Sequence, residues 1–147
     1  MAAPDAHTAI RRKLEAEWTD TPVTYQNGGV FRPAEPGNRD RYDPAPEDTW
    51  VHLEILAAGS DCSVIGSVGK RAARDDGVIF AHVFVPVGTG DDEARRLARS
   101  LGELFRVTRF GGVETGAPEL GGGEKGDDDG LFWRVSVSIP FTCHYTV

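Results

Sequence analysis

Residues 131–147 read LFWRVSVSIPFTCHYTV, and this stretch decides the fold. Apolar side chains occupy Leu131, Trp133, Val135, Val137, Ile139, Phe141, Cys143, Tyr145 and Val147, every second position. Between them stand mostly polar residues: Arg134, Ser136, Ser138, Thr142, His144 and Thr146. A period of two belongs to a β-strand whose successive side chains face opposite sides of a sheet. A straight strand of this length would span roughly 55 Å at ~3.4 Å per residue. A compact domain of 147 residues has a diameter near ~38 Å, from a radius of gyration of about 15 Å. The strand therefore either bends at Pro140, which has no amide hydrogen to donate, or lies partly against a neighbour.

Working outward, TGDDEARRLARSLGELFR (residues 89–106) is the strongest helix. Ala94, Leu97, Ala98, Leu101, Leu104 and Phe105 form one apolar face. Thr89 or Asp91 can cap it, with Asp92 and Glu93 in the positive first turn. A second amphipathic helix is expected from Ala6 to Trp18, with Ile10, Leu14 and Trp18 as its stripe. Arg11–Glu15 and Lys13–Glu17 can pair on its other side. Strands are expected at PVTYQ (22–26), TWVHLEILAA (49–58), SVIGSVGK (63–70) and GVIFAHVFVPV (77–87), with a short one at 107–110. The fourth is apolar on both sides apart from His82, as suits a central strand covered on both faces. Residues 74–77, Arg-Asp-Asp-Gly, have turn chemistry. The prediction is one α+β domain spanning residues 1–147: a small, mostly antiparallel or mixed sheet, two main helices packed on one face, and two long loops.

Those loops are residues 28–48, rich in proline, and 111–130, rich in glycine and acid. Long structureless loops inside a compact domain are usually functional or disordered. They are expected to act as contact arms that order on a partner. Arg32, Arg39, Arg41, Tyr42, Glu124, Lys125, Asp127, Asp128, Asp129 and the adjacent Trp133 are the candidate interface residues.

Catalytic and metal motifs fail on spacing. The run Gly66-Ser67-Val68-Gly69-Lys70 lacks the earlier glycine and following hydroxyl residue of a phosphate loop, and has Val64 and Arg71 there instead. Cys143 and His144 are neighbours on a strand and so face opposite sides. His7, His52, His82 and His144 show no helical ligand pair. Residues 127–130, Asp-Asp-Asp-Gly, lack the alternating ligands and distal glutamate of an EF-hand. No cofactor, metal or catalytic set is expected, and the chain reads as a non-enzyme. Cys62 and Cys143 do not make a disulfide framework. The opening residues carry no apolar signal segment and no run approaches a membrane span. A net charge of −7 argues against a DNA-reading protein, which needs a basic stripe.

The order of these elements resembles the tail terminator proteins of long-tailed phages, the lambda minor tail protein U type, and their relatives in gene transfer agents. TPVTYQN, TWVHLEIL, DDEARRLARSLGELF and DDDGLFWRVSVSIPFTCHYTV carry the resemblance. It implies a structural virion protein of the tail or neck, assembled in the host cytoplasm. Such subunits form hexameric rings that cap the head-proximal end of the tail tube and end its polymerisation. They then offer a joining surface to the connector or stopper protein. DNA passes through the ring without sequence-specific binding. The alternatives are a head-side stopper or other tail-completion subunit, the tube subunit itself, or a small-molecule-binding domain or hydrolase with a pocket around His82, Cys62 or Lys70.

Overall fold

The computed structural model describes residues 6–62, 66 and 71–146. Its elements are α1 (Ala6–Glu17), β1 (Val23–Tyr25), β2 (Val30–Phe31), β3 (Trp50–Cys62), β4 (Ala72–Pro86), α2 (Asp92–Phe105), β5 (Arg109–Phe110), β6 (Val113–Thr115), β7 (Glu119–Lys125) and β8 (Phe132–Thr146). The strands form one sheet in the order β2-β1-β3-β4-β8-β6-β5, with β7 also beside β8. β1 runs parallel to β3, and every other pair is antiparallel. The fold is α+β, as the alternation in residues 131–147 and the two helical stripes predict.

Both helices bury their apolar stripes against the same side of the sheet. Ile10, Leu14, Leu97, Leu101 and Phe105 join Val51, Leu53, Ile79, Ala81, Val83, Val135, Val137 and Ile139 in one core. Burying each large aliphatic or aromatic side chain contributes about 1.5–3 kcal/mol. Asp91 sits at the N-terminal cap of α2 without capping it. Its carboxylate instead accepts from Arg95 Nε at 2.8 Å. On α1 the Lys13–Glu17 pair forms at 2.6 Å. Arg11 lies over the Tyr25 ring, and Glu15 accepts from the Tyr25 hydroxyl at 3.0 Å.

Several expectations are corrected. β8 does not break at Pro140: it pairs with β4 without a register shift from Phe132 to Thr146. On its other side, β7 runs opposite residues 133–138 and β6 opposite 141–143. Pro140 falls in the gap between them. There its carbonyl accepts from Gly116, and its missing amide leaves no ladder bond unmade. Residues 111–130 are not a free loop, because they contain β6 and β7. Residues 28–48 hold the short β2 but are otherwise irregular. Residues 74–77 lie inside β4 rather than in a turn. The strand expected at 107–110 is only Arg109–Phe110. The one expected at 63–70, like most of the glycine-lysine run and Val147, falls outside the described residues. β4 is central, yet the helices cover only one of its faces, leaving Val78, Phe80 and His82 half-exposed.

Candidate functional site

The uncovered sheet face is where polar chemistry collects. The register sets Thr24 of β1 opposite His52 of β3, His52 opposite His82 of β4, and His82 opposite Ser136 of β8. Four consecutive strands thus place four polar side chains in one row. His52 Nδ1 lies 2.7 Å from Thr24 Oγ1, and His82 Nδ1 lies 2.6 Å from Ser136 Oγ. Glu54, two residues beyond His52 on the same face, sets Oε1 at 3.4 Å from His82 Nε2 and 4.0 Å from His52 Nε2. Desolvation by burial lowers the pKa of both imidazoles, and the Glu54 carboxylate only partly offsets it. Both rings are therefore neutral near neutral pH.

Ser136, His82 and Glu54 follow the hydroxyl–imidazole–carboxylate order of a nucleophile system. Acyl transfer also needs paired donors for an oxyanion. Ser136 sits mid-strand between β4 and β7. The row brings a hydroxyl, two imidazoles and a carboxylate together on the open face. Scanning one strand at a time misses it, because each strand contributes one or two members and only the register joins them.

Beside the row, aromatic side chains close one end of the face. The Trp50 ring stacks on Phe84 with centroids 4.1 Å apart, and Phe132 meets both edge-on. Tyr42 reaches from the irregular segment to the edge of Trp50. A groove of about 420 Å³ runs between that segment and the sheet, lined by Thr24, Arg41, Tyr42, Trp50 and His52 among others.

The predicted interface residues divide into two groups. On residues 28–48, Arg32 donates to the Asp40 and Arg41 carbonyls and lies over the Tyr42 ring. Arg39 donates to the Val30 carbonyl and pairs with Glu15 at 3.1 Å. The Tyr42 hydroxyl donates to Asp48, and burial, with Asp48 beside it, pushes its pKa up to about 12. Arg32 braces the segment internally, Arg39 ties it to α1 and Tyr42 to β3, while Arg41 pairs with Asp43 in solvent. In the second group, Glu124 accepts from Arg134 Nε at 3.1 Å, and Lys125 pairs opposite Trp133 along β7 and β8. Asp127 Oδ1 accepts from the Leu131 and Phe132 amides at 2.9 and 3.1 Å, closing the turn. Asp128 and Asp129 are exposed. Most of the set builds local structure; Arg41, Asp128 and Asp129 remain outward-facing.

A second unfinished surface lies at the far end of β3. β1 pairs only with Val51, His52 and Leu53, and the Gln26 side chain accepts from the Ile55 amide at 3.0 Å. Beyond it the outer edge of β3 meets no other strand among the described residues. Residues 56–61 are exposed throughout. Leu-Ala-Ala-Gly-Ser-Asp contains neither the proline nor the lysine that normally guards an edge.

No protein-family model matches this chain, and no curated protein matches it. A solved structure known only by a sequence identifier is similar over 95% of this chain and 93% of its own, with a TM-score of 0.61 and 19% identity. At that identity the likeness shows the fold alone.

Proposed function

We propose that this chain is a structural ring subunit of the tail terminator kind, capping a phage-like tail tube and presenting a head-joining surface. The observation that carries the reading is the strand edge at residues 56–61, which is exposed and unpaired among the described residues. Such an edge offers main-chain donors and acceptors to another chain. The uncovered sheet face is a second, different surface. A closed ring uses heterologous contacts, so each subunit needs two dissimilar complementary patches. A net charge of −7 suits a ring past which DNA moves without adhering.

Light scattering and negative-stain imaging of the purified protein, with and without tail tube protein, test the reading. Rings that halt tube growth support it. A strictly monomeric species that leaves tube growth unchanged overturns it. Gly59→Lys is the matching variant, since a side chain at Gly59 would meet no atom within 4 Å. It is expected to keep the fold and lose the ring. Cross-linking to tube protein rather than to a portal-side protein separates a terminator from a stopper.

A further inference from the structure

We propose that His52, His82 and Glu54 form a binding site for a zinc-class divalent ion on the open sheet face. The inference stands independently of the ring reading.

The geometry begins with the imidazoles. In each ring Nδ1 and Nε2 lie on opposite flanks. Thr24 and Ser136 hold the two Nδ1 atoms from outside the pair, at 2.7 and 2.6 Å. Both Nε2 atoms are thereby turned toward the shared Glu54 carboxylate, at 4.0 and 3.4 Å. Metal-bound imidazoles are oriented in this way, with the second nitrogen held by an outer partner. Thr24 Oγ1 also approaches the Val51 carbonyl at 3.5 Å. In the tautomer whose His52 Nδ1–H donates to Thr24 Oγ1 across the 2.7 Å contact, Nε2 is the bare, ligating nitrogen.

Distances are close to those required. Metal–ligand bonds of ~2.0–2.1 Å in a tetrahedral site put neighbouring ligand atoms about 3.3 Å apart. The Glu54–His82 separation already matches, and the Glu54–His52 separation closes with a small side-chain rotation. No three-ligand cage is ready-made among the described residues. The ring centroids are 6.4 Å apart and their planes differ by 15°, so the proposed site requires the imidazoles to tilt together around the ion. Directly opposed strand residues have Cβ atoms ~4.5–5.5 Å apart, so side-chain rotation suffices. Two imidazoles and one carboxylate favour zinc, cobalt, nickel or copper over calcium or magnesium, which prefer all-oxygen shells. Arg134 brings an opposing charge toward His82, and Glu124 neutralises it. A fourth position is left for water or a donor from another molecule.

Cobalt titration of the full chain, followed by visible absorption, tests the site. A Cys62→Ser background removes the exposed thiol as a competing ligand. One equivalent of saturable uptake is expected, lost in His52→Ala and His82→Ala and weakened about tenfold in Ser136→Ala. As a measurement independent of any variant, zinc added to the ¹⁵N-labelled chain should shift the Nε2 resonances of His52 and His82. Absence of saturable uptake, unchanged affinity in the His52→Ala/His82→Ala double variant, or shifts confined to His7 and His144 would overturn the proposal.

Discussion

The Phe141 ring of β8 lies directly over the α-carbon of Gly77 in β4, its partner across the ladder. A methyl group built on Gly77 would sit 2.4 Å from the Phe141 ring and 2.6 Å from the Leu56 carbonyl. Just past this point the β3–β4 register shifts, between Ala57 and Gly59. The glycine read as turn chemistry in residues 74–77 is a packing requirement inside β4. Gly77→Ala is expected to destabilise the fold by about 1–3 kcal/mol through overpacking. Phe141→Ala in the same chain should recover part of that loss relative to the sum of the single changes. Urea melts of the four chains in the cycle measure it.

Acidification through the histidine range should weaken the fold. His52 and His82 both have lowered pKa values, chiefly from desolvation. The unfolded chain therefore binds protons more readily than the native one. This contribution is fully present above the ordinary histidine value of ~6.5 and is lost as pH falls below it toward the lowered native values. Thermal melts are expected to drop between pH 7.5 and 5, and to drop less in the His52→Gln/His82→Gln variant. A flat wild-type profile over that range would contradict the assignment.

Val137 faces the helices with 1% of its surface exposed. Val137→Asp puts an unpaired carboxylate in the core beside α2 and should cost at least ~3 kcal/mol, giving aggregated or degraded protein. Soluble yield and a denaturant midpoint report it.

The acidic hairpin should respond position by position. Asp128→Ser and Asp129→Ser touch only solvent and are expected to shift stability by less than ~0.5 kcal/mol. Asp127→Ala removes the acceptor for two amides and should cost about 1 kcal/mol. Gly123→Ala should also destabilise, because a methyl group there would meet Trp133 Nε1 at 2.4 Å. Differential scanning calorimetry of these four variants measures the contrast between the solvent-facing and the structural positions.

Much of the fold is legible in local pattern. Leu97, Leu101 and Phe105 recur at helical spacing and do form the buried face of α2. Val135, Val137, Ile139, Phe141 and Cys143 alternate and do face the core. The segment containing Gly121, Gly122 and Gly123 reads as loop because glycine carries no side-chain signal. It becomes β7 because β8 offers it a free edge and Trp133 needs room that only glycine leaves. The candidate site is almost illegible for a similar reason: Thr24, His52, His82 and Ser136 are up to 112 residues apart, counting from 24 to 136.

Periodicity by itself determined the class of this protein, its two helices and which side of its last long strand is buried, because hydrophobic burial acts on spacing of two or three to four residues. Only the tertiary structure decided that Pro140 falls in the gap between two strands, that Gly77 lies under Phe141, and that two histidines share one glutamate. Those outcomes depend on which strand pairs with which and in what register. Cross-strand contact is a distance in space that no neighbouring residue encodes.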